Sequence, residues 1–190
     1  MSNSLNMYVL GPSASGKTGL LRQLRCMCEN GTLMTQPAHD VPTKGQEIHS
    51  LIVHAPQKKN VFCTVELCEL GGEMSPVWEK FIRSRLGLAK DKNDQRCALM
   101  FVVDALAPHL LPLASVLFQR LKCFDGLCRE WPAVVVLNKV AARNAMTEGE
   151  LEFFIPTASY EATQVLCVDS WNGHGIGDLM KWVNSVAFSC

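Results

Sequence analysis

The chain has 190 residues, of which 48% are hydrophobic, and this length and composition predict one globular domain spanning residues 1–190. Its eighteen basic and eighteen acidic residues cancel, and the sequence has no block of five like charges, which argues against a nucleic-acid partner. The nine cysteines form no C-x-x-C pair, so we expect reduced thiols, a reducing compartment and no structural zinc site.

Targeting signals are not apparent in the sequence. A transmembrane helix needs about 18 consecutive apolar residues, and no run approaches that length. The polar start MSNSLN lacks the parts of a secretory signal peptide. Ser2 rules out N-myristoylation, and Cys190 does not form a C-a-a-X box. We therefore expect a cytoplasmic protein whose contact with a membrane is only indirect.

Short apolar runs alternate with longer helical patterns along the chain. The runs predict strands buried on both faces of a parallel sheet, and they cover residues 7–10, 98–103, 133–137 and 164–168. The helical patterns cover residues 18–27, 76–86, 110–124 and 176–188. This alternation predicts an α/β domain with three layers.

Two segments interrupt the alternation. Residues 47–55 and 61–68 are strand-like, and the PQKKN segment between them predicts a hairpin loop. The hairpin adds an antiparallel edge pair, which gives a mixed, mostly parallel sheet of six strands with helices on both faces. The polar segment Gly87 to Gln95 is predicted to be an exposed or disordered loop.

A phosphate-binding motif follows the first strand. GPSASGKT, residues 11–18, fits G-x-x-x-x-G-K-[ST] between a strand and an amphipathic helix. Lys17 would neutralise the β- and γ-phosphates, and Thr18 would bind Mg²⁺. The loop's backbone N–H groups would wrap the β-phosphate, and they belong to Gly11, Ser13, Ala14, Ser15 and Gly16. The competing interpretation of this segment is a glycine-containing turn with an exposed lysine.

Four further segments resemble, together with the phosphate loop and in the same order, the five nucleotide boxes of the Arf-like small GTPases of the Ras superfamily. They are VPTKG, ELGGEMSPVW, LNKVA and SWNGHG, and the resemblance covers nearly the whole chain. The P-T-x-G form, the short hairpin, and L-G-G followed by P-x-W are more particular to the Arf-like group than to Ras or Rab proteins. The resemblance implies the small G-protein version of the P-loop NTPase fold.

The resemblance also implies roles at the phosphate end. Thr43 would complete the Mg²⁺ shell and sense the γ-phosphate through its backbone N–H. Gly72 would donate its N–H to the same phosphate, with Gly71 allowing close approach. Glu69 takes the place of the family's aspartate, which holds Mg²⁺ through water, and its extra methylene leads us to expect a shifted metal geometry. Loss of the γ-phosphate would release the contacts of both segments.

Two positions depart from the family pattern. Glu73 stands where the family usually has the glutamine that orients the attacking water, and its negative charge beside an anionic phosphoryl group predicts slow intrinsic hydrolysis. Ala141 stands where the aspartate of N-K-x-D accepts from guanine N1 and N2.

The remaining base residues come from the same resemblance. Asn138 would bond the N7 region of guanine, the stem of Lys139 would lie over the ring, and the backbone N–H of Ser170 would contact the base. Asp169 stands in the late box, and one interpretation is that its carboxylate replaces the missing aspartate. Asp169 capping a turn before Gly173 is an equal alternative.

These features predict an Arf-like GTP-binding switch that uses Mg²⁺ and GTP or GDP, with weak or partner-dependent hydrolysis. Its expected partners are effectors, an exchange factor and an activating protein, and we expect a monomer. A pseudo-GTPase scaffold with relaxed or lost guanine selectivity is the main alternative, because Glu73 and Ala141 both depart from the active pattern. A P-loop kinase using ATP is a further alternative, but the hairpin and the ELGG box disfavour it.

Overall fold

The computed structural model describes residues 4–34, 41–55, 58–88 and 96–189. Five helices and six strands make up the regular structure of these residues, together with short 3₁₀ segments at 72–77, 108–110 and 157–159. The strands are β1 Ser4–Leu10, β2 Gln46–Ala55, β3 Lys58–Leu70, β4 Arg96–Asp104, β5 Ala133–Asn138 and β6 Thr163–Cys167. The helices are α1 Lys17–Asn30, α2 Trp78–Leu88, α3 Leu111–Lys122, α4 Glu148–Phe154 and α5 Ile176–Phe188.

The six strands form one sheet in the order β2-β3-β1-β4-β5-β6. Strands β3, β1, β4, β5 and β6 are parallel, and β2 pairs antiparallel with β3 at the edge. The predicted hairpin and mixed sheet are therefore confirmed. Since the parallel strands share one direction, their carboxyl ends lie at the same edge of the sheet, which is where ligands bind in such folds.

The central strands of the sheet are buried on both faces. Along β1, Leu5, Met7 and Val9 pack with residues of α1 and α5, whereas Tyr8 and Leu10 pack with residues of α2 and α3. This alternation follows from the two-residue repeat of a strand. The arrangement confirms the predicted three-layer α/β sandwich.

Some element boundaries differ from the sequence predictions. Helix α2 begins at Trp78 instead of Pro76, because Pro76 lies inside the preceding 3₁₀ segment. Gly87 is helical rather than part of a polar loop, and residues 89–95 of that predicted loop lie outside the described residues. Lys58, predicted to lie in the hairpin loop, is already in β3.

Helix α4 was missed by the sequence analysis. It begins with a capping box in which the Thr147 side chain accepts from the Glu150 backbone N–H while the Glu150 carboxylate accepts from the Thr147 backbone N–H. The T-x-x-E spacing was a readable signal for this start. With seven residues the helix is too short for an amphipathic repeat to stand out.

No helix in the described part of the chain is both long enough and apolar enough to cross a membrane.

Candidate nucleotide-binding site

The loop between β1 and α1 has the backbone that a phosphate cradle requires. Gly11 and Gly16 have φ of 145° and 86°, values that glycine adopts readily and other residues rarely do. A Cβ on Gly11 would lie 2.1 Å from the carbonyl oxygen of Val102 in β4, and a Cβ on Gly16 would lie 2.5 Å from Nδ2 of Asn138. Both glycines are thus required by close packing against the neighbouring strand ends.

Lys17 is almost completely buried at the start of α1 and is 5% exposed. Its Nζ donates to the carbonyl oxygens of Gly11 and Pro12, each at 3.0 Å. Burial lowers the pKa of Lys17 to about 8, although the nearby Glu69 carboxylate opposes this shift. A buried cation that bonds mainly to neutral carbonyls is well placed to receive an anion, because an anion would offset its loss of hydration.

Three oxygen-bearing side chains meet beside Lys17. Thr18 Oγ1 donates to Glu69 Oε1 at 2.8 Å, Thr43 Oγ1 donates to the same oxygen at 3.2 Å, and the two hydroxyl oxygens lie 3.3 Å apart. Burial raises the pKa of Glu69, against the lowering effects of the Thr18 hydrogen bond, the Lys17 charge and the Thr43 hydrogen bond. The all-oxygen donor set fits Mg²⁺, which prefers hard oxygen ligands, and the glutamate's longer side chain reaches both hydroxyls.

The ELGG segment is in contact with both the phosphate loop and the Thr43 segment. The Gly71 backbone N–H donates to the carbonyl oxygen of Gly45 at 2.9 Å. A Cβ on Gly71 would lie 2.2 Å from the carbonyl oxygen of Thr43, and a Cβ on Gly72 would lie 2.2 Å from the backbone nitrogen of Ser13. The two glycines therefore let three backbone segments approach each other closely.

Trp78 stabilises this approach. Its side chain is 2% exposed, and its indole Nε1 donates to the carbonyl oxygen of Gly71 at 3.0 Å. The P-x-W pattern is visible in the sequence, but it does not by itself predict this role for the tryptophan. Glu73, by contrast, is exposed in the first turn of the 3₁₀ segment 72–77.

One cavity joins most of these residues. Its lining comes from the phosphate loop, the start of α1, the segment before β2 and the end of β3. The lining residues are Ser13, Ala14, Gly16, Lys17, Thr18, Gly19, Val41, Pro42, Thr43, Glu69, Gly71 and Gly72.

The residues predicted to bind the base lie next to the phosphate loop, at the ends of β5 and β6. Asn138 is fully buried, and its Nδ2 donates to the carbonyl oxygen of Ser15 at 3.0 Å. Its Oδ1 accepts from the backbone N–H groups of Lys139 at 2.9 Å and Ser170 at 3.1 Å. Asn138 thus ties together the loops that the sequence analysis assigned to the phosphates and to the base.

The ammonium group of Lys139 also reaches the phosphate loop. Its Nζ donates to the carbonyl oxygen of Ala14 at 3.1 Å and pairs with the Asp104 carboxylate at the end of β4. Lys139 has φ of 68°, an unusual value for a residue other than glycine. Asp104 was not identified from the sequence, because a single acidic residue after a buried strand is not by itself a signal.

Asp169 accepts hydrogen bonds from its own loop and from the loop that contains Ala141. Oδ1 accepts from the backbone N–H groups of Trp171 and Asn172, each at 3.0 Å, which confirms that Asp169 caps a turn. Oδ2 accepts from the backbone N–H of Ala141 at 3.2 Å. The carboxylate therefore contacts the backbone of Ala141 while it also holds the late loop together.

Comparisons with known proteins agree with this architecture. A search of curated protein sequences finds no match. Among solved structures, the chain is similar to that of the Arl6 BBS3 small GTPase from Trypanosoma brucei with the bound nucleotide analogue GppNp. The two share 19% sequence identity with a TM-score of 0.70, and the match covers 97% of each chain, which is a similarity of fold.

A family model provides the stronger result. The model of the ADP-ribosylation factor family matches residues 1–187, which is nearly the whole sequence and includes all five motif segments. The match agrees with the phosphate loop, the Thr18–Thr43–Glu69 contacts and the Asn138 contacts described above. The chain therefore belongs to the ADP-ribosylation factor family of small GTP-binding proteins.

Proposed function

We propose that this protein is a guanine-nucleotide switch in which residues 41–45 and 69–72 change their contacts with the γ-phosphate. The observation that carries the proposal is the meeting of these two segments at one rim of the phosphate cavity. Thr43 contacts Thr18 and Glu69 there, and Gly71 donates to Gly45. A ligand that supplies a third phosphate at this rim would contact both segments at once, and its loss would release both.

In this proposal each predicted site residue keeps its role. The loop from Gly11 to Gly16 wraps the β-phosphate, and Lys17 offsets the phosphate charge. Thr18 and Thr43 hold Mg²⁺ directly, with Glu69 acting through water. Bound Mg²⁺ would supply positive charge that neutralises the β- and γ-phosphates.

The base would be held by the second group of residues. Asn138, the stem of Lys139 and the Ser170 backbone N–H contact guanine, and Asp169 supplies the carboxylate that Ala141 lacks. Support for this comes from the 3.2 Å contact between Asp169 Oδ2 and the Ala141 nitrogen. Since a charged hydrogen bond contributes about 1.5–3 kcal/mol, this one carboxylate would account for much of the selectivity for guanine.

We further propose that hydrolysis of GTP to GDP and phosphate is slow or depends on an activating partner. Glu73 takes the place of the family's glutamine, and in the structure it is exposed beside Gly72. A carboxylate there adds negative charge near the phosphate, which opposes the reaction. An arginine from an activating protein could offset this charge.

Within the family, the ELGGEMSPVW segment most resembles the divergent member called Arf-like protein sixteen. By this resemblance we propose a cytoplasmic monomer that acts through protein effectors, an exchange factor and an activating protein. Any contact with a membrane would then pass through such a partner.

The proposal is tested by identifying the nucleotide that the purified protein releases on denaturation, using chromatography, and by measuring affinities for GTP, GDP and ATP by calorimetry. Released GDP or GTP, with guanine nucleotides bound more tightly than ATP, supports the switch. ADP or ATP would instead favour a P-loop kinase. A protein that releases no nucleotide and has no affinity for any would favour a scaffold. This alternative is tested because Ala141 replaces the aspartate that binds guanine in the family.

A matched pair of lysine variants tests the phosphate loop directly. Lys17→Ala should abolish binding, because it removes the buried cation from the loop. Lys181→Ala is the control, since Lys181 is exposed on α5 and pairs there with Asp178. Equal affinities in the two variants would remove the phosphate site from the proposal.

A further inference from the structure

We propose that Glu47, His49 and Glu69 bind a zinc ion beside the nucleotide site. Glu47 and His49 belong to β2, and Glu69 lies near the end of β3. One potential ligand atom from each residue lies within 4.8 Å of the other two. Cysteine spacing gives no indication of this site, because none of its three ligands is a cysteine.

The strand register brings the three side chains to one face of the hairpin. Glu47 is directly opposite Glu69 in the antiparallel pair, and His49 is opposite Leu67. Residues two apart on a strand point to the same side, so His49 lies next to the Glu47–Glu69 pair. The buried Leu67 packs on this side with residues of α1, which places the cluster near the start of that helix.

A cation bound between the two carboxylates would offset their repulsion, as the nearby Lys17 charge already does in part for Glu69. Like charges directly opposite each other in a sheet are destabilising, and here one of the carboxylates is buried. Glu69 is 1% exposed, and its Oε1 already accepts from Thr18 and Thr43. Its Oε2 is buried and has no hydrogen-bond partner among the described residues.

A second buried polar atom of the cluster belongs to His49. Its Nε2 is buried without a hydrogen-bond partner in the described part of the chain and lies 3.6 Å from Glu47 Oε2. Buried polar atoms are rarely left unpaired, because doing so costs about 1–3 kcal/mol each. An ion bound between the three side chains would satisfy Nε2 and Oε2 together.

The ligand set favours zinc over magnesium. Mg²⁺ takes oxygen ligands almost exclusively, whereas Zn²⁺ binds imidazole nitrogen and carboxylate oxygen in tetrahedral sites. Three protein ligands leave a fourth position for water. The zinc site would share Glu69 with the proposed Mg²⁺ site but would depend on Glu47 and His49, to which the proposed function gives no role.

A zinc ion here would link β2 to the Thr43 segment. Thr43 Oγ1 contacts Glu47 Oε1 at 3.5 Å and Glu69 Oε1 at 3.2 Å. A metal that fixes both glutamates would therefore also restrict the side chain of Thr43. The site thus lies where it could couple zinc concentration to the segment that contacts the nucleotide.

The experiment uses the full chain as purified, in millimolar Mg²⁺, which occupies oxygen-only sites. Co²⁺ is titrated in as a visible substitute for Zn²⁺, and Zn²⁺ is then added to displace it. His49→Gln and Glu47→Gln remove one ligand each. His54→Gln is the matched control, because His54 is an exposed histidine on the opposite face of the same strand.

We expect wild type and His54→Gln to bind one equivalent of Co²⁺ that Zn²⁺ displaces, without the near-ultraviolet charge-transfer bands of thiolate ligation. Affinity should fall at least about tenfold in His49→Gln and in Glu47→Gln. Since Glu47 is exposed, its variant should fold normally, which circular dichroism of both variants will check. GTP affinity measured on the same samples keeps this test separate from that of the nucleotide site.

Three results would overturn the proposal. Absence of metal uptake would indicate that these three side chains do not form a metal site. Equal uptake in folded wild type, His49→Gln and Glu47→Gln would place the metal elsewhere. Thiolate charge-transfer bands would assign the uptake to cysteines.

Discussion

The carboxylate of Asp169 accepts a hydrogen bond from the backbone N–H of Ala141, with 3.2 Å between Oδ2 and the nitrogen. The two residues are 28 positions apart in sequence and belong to loops that follow β5 and β6. Ala141 occupies the place of the base-binding aspartate in N-K-x-D. A carboxylate therefore lies beside that place although it comes from another loop.

Asp169→Asn should change the preferred base. The asparagine oxygen can still cap the turn through Trp171 and Asn172, whereas the contact with the Ala141 N–H is lost. The asparagine amide NH₂ is a hydrogen-bond donor and would face the N2 amino group of guanine, which is also a donor. Xanthine has a carbonyl group at C2, which would accept a hydrogen bond from the same amide. We expect GTP affinity to fall by about 1.5–3 kcal/mol and XTP affinity to rise, as measured by competition with a fluorescent nucleotide.

Asp178→Asn on α5 serves as the control and should change neither affinity, since Asp178 is exposed and pairs with Lys181. If Asp169 acts in the turn alone, GTP and XTP affinities will change equally. Adding Ala141→Asp provides a second check. It should recover more GTP affinity in the Asp169→Asn background than in wild type, where two carboxylates would crowd together, and a double-mutant cycle measures this difference.

Glu73→Gln should raise the intrinsic rate of GTP hydrolysis by about tenfold or more. The substitution removes negative charge near the phosphate and supplies an amide that can orient water. Glu73 is exposed at the start of its 3₁₀ segment, so the change should not disturb the fold. Single-turnover hydrolysis of preloaded GTP is the measurement.

Glu29→Gln, on the exposed end of α1, is the control for loss of a surface charge. A flat or lower rate in Glu73→Gln would show that Glu73 takes part in the reaction itself or that another step limits the rate. Adding an arginine-bearing activating protein, once one is found, would separate these two cases.

The phosphate loop could be predicted from the sequence because its determinants are local. Residues 11–18 carry two glycines, a lysine and a threonine in register with the end of β1 and the start of α1. In the structure Gly16, Lys17 and Thr18 line one cavity together. The prediction needed no knowledge of which strands are neighbours. Helix α5 could also be predicted, since its apolar repeat runs for 13 residues and the predicted bounds, 176–188, match those of the structure.

The missed residues depend on contacts between distant parts of the chain. Asp104 pairs with Lys139 across 35 positions, and this contact exists because β4 and β5 are neighbours in the sheet. The Glu47–Glu69 pair likewise depends on the hairpin register, which the sequence of the loop alone does not give. For Asp169 the sequence left two roles open; the structure contains the turn contacts of one oxygen, while the other oxygen contacts Ala141, and the role in base binding stays a prediction.

The buried Lys17 predicts a pH dependence of stability in the nucleotide-free protein. Its pKa is lowered to about 8 in the folded state, so between pH 8 and about 10.4 the unfolded chain binds more protons at this residue. The cost of burying the charge is present in full below pH 8 and disappears as pH rises through that window. Other groups titrate as well, because burial raises the pKa of Cys97 to about 11 and that of Cys128 to about 12.

Comparison with Lys17→Met isolates the lysine contribution. The variant's free energy of unfolding minus that of wild type should decrease as pH rises from 8 to 10, as measured by urea unfolding. The thiol contributions are common to both proteins and cancel in the difference. A constant difference across this range would mean that Lys17 keeps an ordinary pKa in the folded state. Saturating GTP should remove the Lys17 contribution to the pH dependence of wild-type stability, since phosphate favours the charged lysine.

Gly72→Ala should weaken GTP binding by preventing the close approach of the ELGG segment to the phosphate loop. A Cβ at this position would lie 2.2 Å from the Ser13 nitrogen and 2.6 Å from the Pro12 carbonyl carbon, and both are backbone atoms that cannot rotate away. Such overpacking costs about 1–3 kcal/mol, which the segment can avoid only by moving back from the cavity. Gly177→Ala on α5 is the control, because a Cβ there meets no atom within 4 Å and the residue lies outside the proposed nucleotide site. Calorimetry should show a larger loss of affinity for GTP than for GDP in Gly72→Ala, since the segment is proposed to contact the γ-phosphate, and little change for either nucleotide in Gly177→Ala. Equal losses for GTP and GDP would indicate that the glycine is needed for the shape of the phosphate loop and not for sensing the third phosphate.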